Sequence, residues 1–213
     1  MQRYSVDGNV MLLQHIRAVC PILVTKDMNV YDFDGTIYDG NSSRDFYFHC
    51  LKRKPLIAWR LPLQVAGILF YAMKIISKRK GKELFFSFLK SLGDIDSLVD
   101  DFWTCHKHRI KPWYLKQAKK DDVIISASPE FLLIPICKEL PAFCIASIVD
   151  PHTGKFMGKN CYGIEKALRY TTAYPNTPID CFYSDSISDK PLAKLARHPY
   201  LMKYNVIKDF PMR

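Results

Sequence analysis

Several features that would assign this chain to a specialised class of protein are absent from its 213 residues. It contains no internal repeat and no low-complexity tract, which argues against a repeat architecture. Hydrophobic residues make up 48% of the chain and charged residues 24%, which are ordinary globular values and exclude bulk disorder. The sequence therefore predicts one sizeable core, or one core domain with a smaller domain inserted into it.

Paired cysteines are also lacking. None of the seven cysteines belongs to a CxxC pair, and their number is odd. A disulfide framework or a zinc site would need closer, paired spacing. We therefore expect reduced thiols and a cytoplasmic location.

The N-terminus lacks the pattern of a secretory signal. Apolar runs within residues 1–27 are short, are broken by His15, Arg17 and Lys26, and are not followed by a small-residue cleavage site. We interpret residues 1–27 as an N-terminal extension, either a short helix or a disordered segment. The functional fold is expected to start at Met28, directly before the first strong strand pattern.

Long apolar runs are missing as well. The longest uncharged run, Leu61–Met73, is shorter than the roughly 20 residues that a transmembrane helix needs, and it contains Pro62 and Gln64. Basic residues flank it on both sides. Three interpretations stay open: a buried helix, a helix in peripheral contact with an anionic membrane, and a true span.

Positive charge, in contrast, is in excess, with a formal net charge of +10. This balance favours anionic partners, which include nucleic acid, acidic membrane surfaces and phosphorylated small molecules. No RNA- or DNA-binding motif is present, so we expect no nucleic acid partner.

Hydrophobic patterns predict strands that alternate with helices after Met28. Strands are predicted at 29–33, 123–126, 179–183 and 204–207, helices at 130–139, 163–170 and 191–197, and a hairpin over 143–158. This alternation predicts an α/β fold with a doubly wound, mostly parallel sheet. Residues 43–120 are too many for one crossover helix, so we interpret them as an inserted helical cap on a core made of 28–42 and 121–213.

Two carboxylates follow the first predicted strand, in the run VYDFDGT at 30–36. Asp32 and Asp34 are two residues apart, so on an extended backbone they project the same way. They repel each other unless a cation lies between them or one is protonated. An ordinary Asp/Gly turn would have the same letters.

Three more elements with suitable chemistry follow in chain order. The strand VIIS ends in Ser126, and the hydroxyl and the following backbone amides, starting at Ala127, suit a phosphate oxygen. Lys166 near a helix start could neutralise phosphoryl charge. The run FYSDSISD brings Asp185 and Asp189, hard oxygen ligands of the kind that Mg²⁺ prefers. Singly, each has a bland explanation as a helix cap, a solvated lysine or a capping loop.

Taken together, the order DxDGT, hhhS, K and hhhSDxxxD resembles the haloacid dehalogenase superfamily. The runs SASPEFLL, GKNCYGIEKALRY and YSDSISDKPLAKLA are similar to its phosphoserine-phosphatase-like subgroup. The resemblance covers about 29–207 and implies a Rossmann-like core and a magnesium-dependent phosphatase. Its substrate would be a small-molecule or lipid phosphate monoester.

The resemblance also implies roles for single residues. Asp32 would attack phosphorus to give an aspartyl phosphate, and Asp34 would act as general acid and then base. Ser126 and Ala127 would bind the phosphoryl group, and Lys166 would balance the negative charge of the nucleophile and the phosphate. The implied Mg²⁺ ligands are Asp32, the backbone carbonyl of Asp34, Asp185 and Asp189.

The sequence departs from the family pattern at two places. The last motif reads SDSISD where many relatives have GDGxxD, and serine restricts the backbone where glycine would not. Ser126 is followed by Ala127-Ser128-Pro129 rather than Gly-Gly. A non-catalytic phosphate-binding module, a mutase or phosphotransferase, and a dehalogenase-type hydrolase remain alternatives, although the last has no use for Asp34.

Overall fold

The structure is a computed structural model that describes residues 27–140 and 142–212. The predicted N-terminal extension therefore lies almost wholly outside the described residues. Six strands form one sheet in the order β3-β2-β1-β4-β5-β6, parallel except for the antiparallel pair β5 and β6. The strands are β1 (Met28–Tyr31), β2 (Val123–Pro129), β3 (Phe143–Ser147), β4 (Ile179–Ser184), β5 (Ala196–Lys203) and β6 (Val206–Asp209).

Eight α-helices occur in the described residues. They are α1 (Ser42–Arg53), α2 (Leu61–Ala72), α3 (Lys78–Phe85), α4 (Ile95–His106), α5 (Pro112–Gln117), α6 (Glu130–Glu139), α7 (Ile164–Ala173) and α8 (Lys190–Ala193). Short 3₁₀ helices cover Pro55–Arg60, Phe86–Ser91, Lys107–Arg109 and Ile187–Asp189. The predicted α/β class and the mostly parallel sheet are confirmed.

The strand order places a switch point at the centre of the sheet. From β1 the chain builds outward through β2 and β3 on one side, and then through β4 and β5 on the other. The strand β1 is therefore flanked by β2 and β4, and all four of its residues are buried, as a central parallel strand requires. Ligands of such sheets bind beyond the carboxyl ends of the strands at this point.

Helices cover both faces of the sheet. On one face, α1, α4, α6 and the 3₁₀ helix Phe86–Ser91 share one buried cluster with β1 and β2. On the other face, α7 and α8 pack on the sheet through a second cluster. The inserted helices α1, α4 and α5 thus contribute to the same hydrophobic core as the sheet. The predicted boundaries of a separate cap stay a prediction.

Within the insertion, α2 does not behave as a buried helix. Only Gln64 and Gly67 of α2 are buried, and Gly67 lies so close to α3 that a Cβ atom there would be 2.8 Å from the Cβ of Leu84. The buried-helix interpretation of Leu61–Met73 is therefore wrong. By length and composition alone, Pro55–Ala72 could cross a membrane, and 17% of it is buried.

Two predicted elements near the C-terminus form with different bounds. The helix predicted over 191–197 is α8, which ends at Ala193, because the chain from Ala196 onward pairs with β4 as a parallel strand. The strand predicted at 204–207 begins instead at Val206. Tyr204 and Asn205 both have positive φ and form the two-residue turn between β5 and β6. Long-range strand pairing overrode the helical spacing of the sequence.

The hairpin predicted over 143–158 forms, although only its first arm is a full strand. Beyond β3, Val149 pairs with Phe156 in a single antiparallel bridge. Asp150 stabilises the turn by accepting hydrogen bonds from the backbone amides of His152 and Thr153 at 2.8 and 2.9 Å.

Candidate active site

A cavity of about 490 Å³ opens at the carboxyl ends of β1, β2 and β4. All seven side chains singled out in the sequence line it: Asp32, Asp34, Ser126, Ala127, Lys166, Asp185 and Asp189. They come from four separate chain segments. Parallel strands bring these segments to one edge of the sheet, so the sequence order of the motifs becomes a spatial cluster.

A buried lysine joins two of the carboxylates. Lys166, in the first turn of α7, is 2% exposed, and its Nζ lies 2.7 Å from Asp32 Oδ1 and 2.6 Å from Asp189 Oδ2. The interpretation of Lys166 as a solvated surface lysine is therefore excluded. Asp32 Oδ1 also accepts a hydrogen bond from the backbone amide of Phe33 at 2.8 Å. The side chain of Asp32 is thus fixed in orientation.

The electrostatics of this group follow from its burial. Burial raises the pKa of Asp32, and the Lys166 ammonium opposes that rise. Burial by itself would lower the pKa of Lys166, but the carboxylates of Asp32 and Asp189 more than compensate and raise it. Lys166 therefore stays protonated and supplies a fixed positive charge beside Asp32.

Asp34 is held by different partners. Its Oδ1 accepts a hydrogen bond from the backbone amide of Ser42 at 2.6 Å, and its Oδ2 accepts one from the Ser128 hydroxyl at 2.5 Å. Ser42 is the first residue of α1, so the start of the insertion orients this carboxylate. The Ser128 hydroxyl also contacts the hydroxyls of Ser42 and Ser43. Asp32 and Asp34 therefore have separate environments, one cationic and one built from neutral donors.

The strand β2 supplies the side of the cavity opposite β4. Ser126 is buried, and its Oγ accepts a hydrogen bond from the backbone amide of Ser128 at 3.1 Å. The N-cap residue of α6 is Pro129, so Ser126 does not cap that helix. Ala127 contributes its carbonyl, which accepts hydrogen bonds from Lys82 Nζ and from the Ser147 hydroxyl.

Asp185 packs directly against the turn after β1. Gly35 has a φ of +74°, and a Cβ atom there would lie 2.1 Å from Asp185 Oδ2. The absence of a side chain at Gly35 is what allows Asp185 to approach Asp32 and Asp34. Ser184 and Ser186 stand where many relatives have glycine, but the backbone does not require glycine at either position. Ser184 is the last residue of β4, and Ser186 is extended with a φ of −119°.

The carboxylate and carbonyl oxygens around the cavity have the chemistry that Mg²⁺ prefers. Asp189 Oδ1 is a buried oxygen with no hydrogen-bond partner. The other oxygen, Oδ2, accepts hydrogen bonds from Lys166 Nζ and from the Ser184 hydroxyl, the latter at 2.8 Å. No three His, Cys, Asp or Glu side chains within the described residues are grouped closely enough to bind a metal by themselves. Mg²⁺ binds through only one or two carboxylates and keeps several waters, so two carboxylates with a backbone carbonyl fit it.

Several residues of the site were missed in the sequence. They are Ser42 and Ser128, which hold Asp34, and Lys78, Lys82 and Tyr162, which line the cavity. Ser128 carried one usable signal, since two residues after Ser126 along a strand lie on the same face. The other residues carried no such signal. In the sequence, for example, the two lysines belong to a basic helix and look like solvent-exposed lysines.

Comparisons with known proteins agree with this geometry. A family model described as haloacid dehalogenase-like hydrolase matches residues 30–194. No match was found among the curated proteins.

Solved structures with the same fold are similar over most of their length. A protein of unknown function from Bordetella pertussis Tohama I has a TM-score of 0.68 at 17% identity, covering 83% of this chain and 89% of its own. A phosphoserine phosphohydrolase-like protein from Francisella tularensis has a TM-score of 0.55 at 14% identity, covering 85% and 89%. A phosphoserine phosphatase, solved as a phospho-aspartyl intermediate analogue, has a TM-score of 0.52 at 15% identity, covering 83% and 86%.

Proposed function

The chain belongs to the haloacid dehalogenase-like hydrolase family, and from that premise we propose that it is a Mg²⁺-dependent phosphatase that hydrolyses a phosphate monoester through an aspartyl phosphate on Asp32. One observation carries the proposal: two carboxylates two residues apart lie in one cavity, one fixed by a buried lysine and the other by neutral donors. This is the division of labour that a nucleophile and an acid–base group require.

The residues act in two steps. Asp32 attacks phosphorus while Asp34 donates a proton to the leaving alkoxide, and the substrate's P–O bond breaks as the bond to Asp32 forms. Asp34, now ionised, then takes a proton from a water that attacks the aspartyl phosphate and releases inorganic phosphate. Ser126, the backbone at Ala127 and Lys166 hold the phosphoryl oxygens throughout, since phosphoryl transfer depends mainly on positioning and charge neutralisation.

Asp32, the Asp34 carbonyl and Asp185 would hold Mg²⁺, with Asp189 supporting it through its free buried oxygen. The metal, when bound, supplies positive charge that draws the negatively charged phosphate toward an anionic nucleophile. The single charge of Lys166 is shared with two carboxylates, so Lys166 offsets only part of the charge of a phosphate dianion.

The covalent step is tested by trapping with beryllofluoride and by substituting each carboxylate. Asp32→Asn should abolish the adduct and turnover, because the amide is not a nucleophile. Asp34→Asn should still form the adduct but turn over about 10²–10⁴-fold more slowly, the usual contribution of general acid–base catalysis. Asp39→Asn, at an exposed carboxylate outside the cavity, is the control.

Near-normal turnover in Asp32→Asn would exclude the covalent mechanism. Tight binding of phosphate monoesters without any turnover in the unmodified protein would favour the non-catalytic binding module. Transfer of the phosphoryl group to an added alcohol or sugar in preference to water would favour a phosphotransferase.

A second candidate function, hydrolysis of a lipid phosphate at a membrane surface, is favoured by the exposed apolar segment Pro55–Ile75. Its large hydrophobic side chains that are at least about two-fifths exposed are Leu56, Trp59, Leu61, Leu63, Val65, Ile68, Leu69, Phe70, Tyr71, Met73 and Ile75. Trp59 is 65% exposed and Ile68 is 59% exposed. A contiguous apolar surface of this kind usually marks an interaction site.

Charge complementarity favours an anionic bilayer as the occupant. Basic residues lie at both ends of the segment and within it: Lys52, Arg53 and Lys54 precede it, Arg60 and Lys74 lie inside it, and Lys78, Arg79 and Lys80 follow it. Each basic residue near an anionic surface contributes about 1 kcal/mol, and the apolar side chains add a part that salt does not screen.

Vesicle co-sedimentation of the full chain tests this candidate. We expect binding to phosphatidylglycerol-containing vesicles that salt weakens, and less binding to phosphatidylcholine vesicles. The pair Ile68→Glu and Leu69→Glu should abolish it, while Leu115→Glu, on an equally exposed apolar residue of α5, should not. No sedimentation with either vesicle at low salt would contradict the candidate. A dimer of the unmodified protein, formed without vesicles and lost in the paired variant, would indicate instead that the apolar segment mediates self-association.

A further inference from the structure

Two lysines of the insertion line the cavity that contains the catalytic carboxylates. Lys78 and Lys82 lie four residues apart on α3, so they occupy the same side of the helix, and both line the cavity that contains Asp32. Like charges at this spacing repel each other. An anionic group bound between them would relieve this repulsion.

Neutral groups surround the first of these lysines. Lys82 Nζ donates to the Ala127 carbonyl at 2.7 Å and to Asn160 Oδ1 at 3.1 Å, which uses two of its three protons. Burial, together with the charge of Lys78, lowers the pKa of Lys82 to about 8, and the Asp34 carboxylate opposes that shift. Lys82 is thus held rigidly toward the cavity without a carboxylate of its own.

The second lysine is also without a carboxylate. Lys78 Nζ lies 3.2 Å from the centroid of the Tyr162 ring, and within the described ranges neither it nor Lys82 forms an ion pair. On the same helix, Arg79 and Lys80 do pair with Glu83, at 3.2 and 3.6 Å. The single acidic residue of α3 therefore neutralises the outer basic residues and not the two in the cavity.

The other side chains that the insertion places in the cavity are Ser43, Arg44, Phe85 and Phe86. Within the described residues, then, the insertion supplies cations, a hydroxyl and aromatic rings to this wall, and no carboxylate. A substrate with a cationic group beside its phosphate would find no partner there, whereas a substrate with a second anionic group would.

We propose that Lys78 and Lys82 form a subsite for a second anionic group of the substrate, a carboxylate or a further phosphate, in addition to the phosphoryl group transferred to Asp32. This inference rests on the proposed function, since it assigns the substrate class of the same site. The selected substrate is a phosphate monoester with an anionic tail, and phosphorylated amines are disfavoured.

The test compares three two-carbon phosphate monoesters that differ in the charge of the tail: phosphoglycolate, 2-hydroxyethyl phosphate and phosphoethanolamine. We expect kcat/KM to fall in that order, by about tenfold or more between the first two, the effect of one charge-assisted hydrogen bond. Lys78→Met and Lys78→Gln should remove most of the preference for phosphoglycolate. Lys80→Met, on the exposed and already paired lysine, should keep it.

Calorimetric binding of the same three compounds in Mg²⁺ separates the two proposals. Absence of phosphate release from every ester would overturn the proposed function, while tighter binding of phosphoglycolate would still support the subsite. Equal binding of all three esters, or an equal loss on all three in the lysine variants, would overturn the subsite. Thermal unfolding of each variant establishes that it is folded.

Discussion

Gly35 is the residue on which the proposed metal site most directly depends. Its positive φ and its contact with Asp185 leave no room for a side chain. We predict that Gly35→Ala displaces Asp185 and raises the Mg²⁺ concentration for half-maximal activity about tenfold or more, as loss of metal-ligand support does. Mg²⁺ titration of the activity measures this shift.

Gly158→Ala is the matched control for that change, since a Cβ atom there would meet nothing within 4 Å. It should leave the Mg²⁺ dependence as it is. An unchanged Mg²⁺ dependence in Gly35→Ala would show that Asp185 is not a ligand.

Ser128 acts through Asp34, so we regard it as a positioning residue. Its hydroxyl donates to Asp34 Oδ2 at 2.5 Å, and Ser42 donates to the other oxygen. We predict that Ser128→Ala lowers kcat about tenfold and changes KM little, because one of two orienting hydrogen bonds is lost. Steady-state kinetics with a phosphate monoester provide the measurement.

Ser128→Thr, which keeps the hydroxyl, should restore most of the lost kcat. If Ser128→Ala instead raised KM with kcat unchanged, Ser128 would be a substrate-binding residue and not a support for Asp34.

At the scale of elements, the hairpin after β3 is locked onto the insertion through Gly154. Its φ is +71°, and a Cβ atom there would lie 2.4 Å from the backbone oxygen of Phe86, which also lines the cavity. We predict that Gly154→Ala destabilises the fold by about 1–3 kcal/mol, because neither backbone can give way without strain. Urea unfolding measures the loss.

Gly93→Ala is the comparison at this scale, because the nearest atom to a Cβ there is Lys54 Nζ at 3.9 Å. It should unfold at the same urea concentration as the unmodified protein. Equal stability of Gly154→Ala would mean that the hairpin moves freely relative to the 3₁₀ helix Phe86–Ser91.

At the scale of the whole molecule, Mg²⁺ binding and folding should be coupled. The carboxylates Asp32, Asp185 and Asp189 come from β1 and β4 and their following loops, so the proposed site exists only in the folded chain. We predict that Mg²⁺ at 100 times its dissociation constant stabilises the protein by about 2.7 kcal/mol. Thermal unfolding with Mg²⁺ and with excess chelator measures the difference.

Asp185→Asn should unfold at the same temperature with Mg²⁺ and with chelator. Full phosphatase activity of the unmodified protein in excess chelator would contradict the metal's role.

The sequence by itself determined which side chains meet in the cavity. Each motif stands at the end of a buried apolar run, and in a parallel sheet those ends meet at one edge, so Asp32, Ser126 and Asp185 could be placed together from local pattern alone. The family resemblance depends on the same short motifs. Local periodicity is read over a few residues, which is why it also gave the α/β class correctly.

Only the tertiary structure decided which groups hold the carboxylates and what faces solvent. Ser128 and Asp34 are 94 residues apart in the chain, and Lys82 and Ala127 are 45 apart. No local pattern encodes such contacts, because they depend on how the insertion packs on the sheet. The same packing covers α4 and leaves the apolar α2 exposed, and strand pairing turns the helical pattern after Ala193 into β5.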